Sequence, residues 1–481
     1  MFLAGVDGAS QTDILAAFPF ELGSLPVRYL GLPLTTKRMT VSDYTPLLDR
    51  IRKRICSWTA RQLSFAGRLQ LLGSVIHSIT NFWMSVFRLP KQCINEIDKM
   101  CSAFLWSGPD LNPRKAKISW KDVCKPKEEG GLGLRSLEDT NKVCMLKLIW
   151  RILSTTDSLW VRWVHRYLIR KGSIWNVNSK SQTGSWIWRK VLKYRELARQ
   201  FSQMEVGDGS TVSFWFDNWS PLGRVVELTG SRGCIDLGIP IHATVERAVQ
   251  QFRQRRYRSN NLILIANEVV KLQAAGLSHH ADKAQWKGRG DIYKTVFSST
   301  QTWELIREVR PKVTWSKGIW FTLATPKYSV VAWIAIHNRL ATGDRIQCWN
   351  PQADATCILC KTQNETRNHL FFTCSYSGLI WRKLTMKLMG NHYSNNWDDI
   401  LRSLMDTTSD CNTLLLLRSV FQASIHSIWR ERNARRHGEP STDPSLLARY
   451  IDKHIRNRID SMRGKVHKKY DKAMQLWFAS R

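Results

Sequence analysis

Acidic residues are scarce in this chain. Its 481 residues carry 39 Asp and Glu against 72 Lys and Arg, a formal charge of +33. Such an excess points to a polyanionic partner, nucleic acid first and an acidic membrane surface second. Long apolar runs are also missing. The longest, Val330 to Ile336, has seven residues, far short of the ~18 that a membrane-spanning helix needs, so no membrane partner is expected. No Lys or Arg precedes Arg28, so the basic start of a secretory signal is not there. The cysteines number 11, an odd count scattered along the chain, which fits reduced thiols better than a disulfide framework. A soluble intracellular protein is expected, with the nucleus a compatible compartment. No Gly-any-Ser-any-Gly elbow and no Gly-Lys-Ser/Thr loop occur, which argues against a serine hydrolase of that type and a phosphate-loop nucleotidase.

What is present is globular material. Apolar residues make up 43 %, and the length suggests roughly three domains. The 22 Trp are many. Rings beside cations suit base stacking, but Trp160, Trp163, Trp186 and Trp188 are expected to be core anchors.

Helical periodicity dominates. Ser42 or Asp43 can cap a helix that puts Leu47, Leu48, Ile51 and Ile55 on one face. A second is expected from Ser64 to Arg88, ended by Pro90, and a third carries Ile94, Ile97, Cys101 and Phe104. Turns precede them at Phe18-Pro19-Phe20 and Leu25-Pro26. Helices resume at 141–153 and 159–169, and Lys327 to Leu340 reads as another. Alternation over Ser210 to Phe216 predicts a strand. Residues 220–300 read as a linker or loosely packed stretch. Gly130 to Gly133 and Gly207 to Gly209 read as plain turns, and His279-His280 as a surface turn. From Ile425 to Arg481 there are 14 Lys or Arg against 6 Asp or Glu.

One constellation carries chemistry. Cys357 and Cys360 are separated by two residues, His369 follows after eight, and Cys374 after four more. Two Cys at that spacing can turn both sulfurs onto one metal, and His369 and Cys374 complete a tetrahedron. Four protein ligands leave no open position, so one Zn²⁺ here would be structural, folding a loop too small for its own core. Lys361 and Arg367 flank the ligands and can offset their charge or face a phosphate. Arg430, Arg432, Arg435 and Arg436 form a basic helical stretch able to grip a phosphate backbone. The bland alternatives are two buried Cys with no metal, and a solvated helix face.

The stretch from Trp333 through Arg339, Leu340, Thr342, Asp344 and Arg345, then Cys357, Cys360, Glu365, Thr366, His369 to Phe372, Cys374, Ile380 and Trp381, resembles the zinc-binding domain of reverse transcriptases of plant LINE-type (non-LTR) retrotransposons. The resemblance spans about 297–382. Upstream, Val27 to Leu34, Ser57-Trp58, Leu63 to Arg68, Phe104 to Trp106 and Gly130 to Leu134 look like the region after the polymerase palm of that family. The resemblance implies that Cys357, Cys360, His369 and Cys374 hold the metal.

The family's Tyr-any-Asp-Asp turn, which chelates two Mg²⁺, has no counterpart here. The adjacent pair Asp398-Asp399 reads as helix capping. No endonuclease and no ribonuclease H carboxylate cluster are read from the sequence. The fold expected is mainly α and multi-domain: a thumb-like helical region at 1–110, a mixed α/β connector at 111–296, a small CCHC zinc module at 297–382 and a basic helical tail at 383–481. No catalytic residues are assigned. The function expected is a zinc-dependent RNA- or DNA-binding remnant of such a reverse transcriptase. Two alternatives stand beside it: an accessory part of an active RNA-directed DNA polymerase or ribonuclease H whose catalytic domain lies elsewhere, and a zinc-module scaffold for proteins.

Overall fold

The computed structural model describes residues 3–481 except 4, 5, 19, 24–26, 36, 37, 59–62, 155, 156, 179–183, 407, 462–469 and 471. Pro19, Leu25 and Pro26 of the expected N-terminal turns lie outside the described residues. The chain is mainly helical, 60 % helix and 5 % strand. Among the described residues no helix is long and apolar enough to cross a membrane.

The residues divide into two compact units. One contains residues 1–51, 77–96 and 137–308; the other contains 52–76, 97–136 and 309–481. Two of the boundaries fall inside helices Val41–Ser57 and Lys91–Ser107. Local chemistry sets those helices. Asp43 accepts from the N–H and hydroxyl of Thr40, which starts the first helix ahead of the expected cap. Leu47, Ile51 and Ile55 are fully buried one turn apart, and Ile97 and Phe104 are fully buried two turns apart in the other helix. The long helix expected from Ser64 is broken by a π-turn at Leu72–Ile76 into Phe65–Leu71 and His77–Met84, with Ser64 capping the first piece.

In the first unit, helix Leu137–Ser154 packs on Trp186–Arg199 and faces a small antiparallel sheet. The strands are Ser202–Glu205, Lys283–Lys287 and Tyr293–Lys294. Two expectations fail here. Residues 210–216 form turns, because carboxylates take the N–H groups a ladder would need. Asp282 accepts from Thr211 and Val212, and Asp217 from Ser213. Residues 220–300 are packed, not loose. Val225, Leu237, Val245, Ile265, Val269 and Trp286 are all buried in one core with Trp150 and Phe201. The signal was weak because the helices are short and the core residues come from many of them. Trp188 is core as expected, but Trp160 and Trp163 are 36 % and 47 % exposed. They sit on the short helix Leu159–Trp163, where Val161 takes the buried position.

In the second unit, helix Cys411–Arg436 is central. Asp410 caps it by accepting from Asn412 and Thr413, and from Leu415 to Ile425 its buried residues run nearly all round, as an internal helix requires. Its buried amide is satisfied: Gln422 donates to Ile319 O and accepts from Ser329. Helices Pro326–Ile336, Ser375–Met389 and Pro444–Asp460 pack on it. Phe371, Phe372, Trp381, Trp397 and Phe421 are buried together, with Phe372 stacked on Phe421 at 6.0 Å. Burying rings of this size contributes ~2 kcal/mol each or more. The stretches 297–382 and 383–481, expected as separate domains, therefore share a core from residue 309 on.

Candidate metal centre

The site is built from a hairpin and a helix start. Thr356 bridges Asn364, Cys357 donates its N–H to Gln363 O, and Lys361 donates to Cys357 O. Lys361 takes the left-handed conformation at φ 57°, which closes the knuckle. Cys357 and Cys360 lie on its two sides. His369 opens a π-turn, His369–Thr373, closed by the Cys374 N–H to His369 O bond at 2.8 Å. Cys374 is the N-cap of helix Ser375–Met389. The π-turn inserts one residue and thereby turns His369 and Cys374 toward the knuckle.

The four side chains the sequence singled out meet. One ligand atom from each of Cys357, Cys360, His369 and Cys374 lies within 4.8 Å of the others. Cys357 and Cys374 are fully buried, and His369 is 6 % exposed. Cys357 Sγ is 3.9 Å from Cys374 Sγ, and Cys360 Sγ is 3.3 Å from His369 Nε2. Tetrahedral zinc bonded to two sulfurs would set them about 3.8 Å apart, and a sulfur–nitrogen edge about 3.6 Å. His369 Nδ1 is buried without a hydrogen-bond partner, so Nε2 is the ring atom offered to the cluster.

Electrostatics favours a cation there. The Cys357 thiol donates to Cys374, which holds the Cys374 thiol well below its ordinary range and pushes Cys357 up. The N–H groups of Tyr376 and Ser377 also aim at the Cys374 sulfur, and those of Leu359 and Cys360 at Cys357. Thiolates held by amide donors beside a shared proton are ready for a divalent ion to replace that proton. The donor set fits zinc, with all four positions filled by protein.

The hairpin is fastened by a buried ion pair that sequence reasoning did not find. Glu365 and Arg432 have side chains 2 % and 4 % exposed, with Arg432 Nη2 at 2.6 Å from Glu365 Oε1. Arg432 also donates to Ala341 O, and Glu365 accepts from the Gly343 N–H. Arg435 donates to Leu359 O inside the knuckle, pairs with Glu431 at 2.9 Å and lies over the Tyr376 ring. The partners are 67 residues apart in the chain, so no local pattern could signal the pairing.

The cations proposed for phosphate contact thus divide. Arg432 and Arg435 are committed inside the protein. Arg367 donates to Ala335 O and Ile336 O at the end of helix Pro326–Ile336 and sits 4.1 Å over the Trp397 ring. Burial pushes its guanidinium below its usual value. Lys361, Arg430 and Arg436 are exposed. Asp398 and Asp399 sit in the first turn of helix Trp397–Met405, where Asn396 accepts from both N–H groups. Gly130 O accepts from Trp333 Nε1 at 2.7 Å, and the Gly207 and Gly209 N–H groups bind Asp282, so both glycine stretches are structural turns. His279 and His280 are exposed in a bend.

Residues 297–381 match a family model described as zinc-binding in reverse transcriptase. The chain is 25 % identical over 416 residues to a putative ribonuclease H protein of Arabidopsis thaliana, covering 85 % of this chain and 66 % of that protein. It thus spans just under two thirds of that relative's length. It is also 28 % identical over 137 residues to an uncharacterized mitochondrial protein of the same plant, covering 28 % of this chain and 88 % of that one. Together the matches support a retrotransposon-derived protein with a reverse-transcriptase zinc-binding segment.

Proposed function

We propose that this chain is a zinc-structured, nucleic-acid-binding part of a LINE-type retrotransposon reverse transcriptase, without polymerase catalytic residues of its own within these 481 residues. The Cys357, Cys360, His369 and Cys374 cluster carries the reading, set in a chain of charge +33. Zinc would supply no reaction chemistry. It would pin the knuckle to the start of helix Ser375–Met389, while Glu365 and Arg435 fasten the hairpin to helix Cys411–Arg436. That scaffold presents Lys361, Arg430 and Arg436 to solvent, where each can neutralise a phosphate of RNA or DNA. Such contacts carry no base readout, so sequence preference should be small.

The test is fluorescence anisotropy of labelled RNA and DNA strands with the zinc-loaded chain, from ~50 to ~200 mM salt. Affinity should fall steeply and alike for unrelated sequences. No binding at ~150 mM salt with zinc in place would refute the reading and favour a protein-binding scaffold.

The similarity to a putative ribonuclease H protein favours one second reading, an accessory part of such an enzyme. Among the described residues, the zinc cluster is the one group of three or more His, Cys, Asp or Glu side chains placed to hold a metal. Cleavage of an RNA–DNA hybrid with Mg²⁺, abolished by a carboxylate substitution in this chain, would establish that reading instead.

A further inference from the structure

A second basic feature lies outside the zinc cluster, within the same unit. A cavity of about 700 Å³ is lined by five cations, Arg114, Lys115, Lys117, Arg339 and Arg345, and by two indoles, Trp106 and Trp349. Its volume falls in the range of pockets that hold small ligands, ~300–1,000 Å³. No carboxylate lines it among the described residues, and none of the five cations forms an ion pair there. Crowded like charges without counter-charges are costly, and the cost is relieved by a bound anion.

Two further observations point to a ligand. Trp106 is 5 % exposed, yet its Nε1–H has no hydrogen-bond partner. Arg345 Nε–H is likewise buried and unpartnered, although its guanidinium leans over the Trp349 ring at 5.8 Å. A buried donor left unmade costs ~1–3 kcal/mol, so native proteins rarely leave two in one wall without an acceptor to meet them. Burial also pushes the Lys117 ammonium below its ordinary value, the mark of a cation held away from water with nothing opposite it. At the rim, Trp349 is 64 % exposed, a ring face open to a planar group.

We propose that this cavity seats a phosphate-bearing nucleotide, with its phosphate among Lys115, Lys117, Arg339 and Arg345 and its base against Trp349. The phosphate oxygens would accept from the cations, and the polar groups of the ligand from Trp106 Nε1 and Arg345 Nε. Stacking on an indole is tolerant of base identity. The inference rests on the nucleic-acid reading above and gives it a specific seat. The same chemistry is offered by a nucleotide within a single strand and by a free one.

The experiment compares two double variants of the full chain. Lys115→Ser with Arg339→Ser removes two exposed cations of the cavity. Arg255→Ser with Arg256→Ser removes two exposed cations of the other unit. Circular dichroism and zinc content establish that both remain folded. Each is titrated with labelled oligo(dT) at several salt concentrations. For two lost single-strand phosphate contacts, the cavity variant should lose about 15-fold in affinity at ~0.15 M salt and about 1.4 in the log–log salt slope. The other pair should stay within about twofold. Trp349→Ala should weaken binding with the salt slope unchanged, since stacking releases no counterions. Equal losses in the two pairs, or no loss in the first, overturn the cavity assignment and leave general nucleic-acid binding standing. No binding by the unmodified chain overturns both. Competition with thymidine monophosphate identifies the source: displacement of the strand names a free nucleotide, and no displacement names the strand itself.

Discussion

Replacing Arg432 by Met tests the fastening of the zinc hairpin. The guanidinium donates to both Glu365 oxygens at 2.6 and 3.1 Å and to Ala341 O at 2.9 Å. Without it, a carboxylate 2 % exposed keeps the Gly343 N–H as a donor, at 2.9 Å. Breaking a buried pair from one side costs about 3–5 kcal/mol, mostly the stranded charge. The loss should appear in urea unfolding and, at the same denaturant concentration, in zinc release to a chromophoric chelator. Glu365→Gln with Arg432→Met removes the stranded charge as well, so the double variant should recover at least about 1 kcal/mol over Arg432→Met alone. A single variant within about 0.5 kcal/mol of the parent, or a double variant showing strict additivity, would mean that the pair does not fasten the hairpin.

Two further outcomes follow from the same unit. His426, tilted against the Tyr328 ring at 4.6 Å, is pushed down to about 4 by burial first, then by Lys327, Arg430 and His454. The unfolded chain binds the proton below about 6.5 and the folded chain does not, so stability is complete above that pH and falls toward pH 4. The full loss, reached below pH 4, is about 3 kcal/mol, of which about 2 kcal/mol is present by pH 5, and His426→Phe should flatten it in urea midpoints measured at pH 7 and pH 5. Gly343 allows close approach: a Cβ there would stand 2.6 Å from Ala355 O. Gly343→Ala should cost about 1–3 kcal/mol by displacing the hairpin, read as a lowered thermal midpoint. An unchanged midpoint would contradict the close approach.

The helices were legible where apolar residues recur on one face, as at Leu47, Ile51 and Ile55. The ligand set was legible because Cys357 and Cys360 sit on one knuckle, and metal geometry restricts what can join them. Other features depended on partners far along the chain. Residues 210–216 have strand alternation, but Asp217 and Asp282 take their N–H groups. Arg432 and Arg435 read as a basic helix face, yet their partners Glu365 and Leu359 O lie on the hairpin. Trp106 entered only as part of the resemblance at Phe104 to Trp106; its unmet indole N–H in a cationic wall exists only in three dimensions.

The most direct test is the metal content of the purified chain by elemental mass spectrometry, with Cys360→Ser alongside. One zinc per chain is expected, lost in the variant together with a marked fall in thermal midpoint. A parent without stoichiometric metal, or a Cys360→Ser protein with the same midpoint, would contradict it.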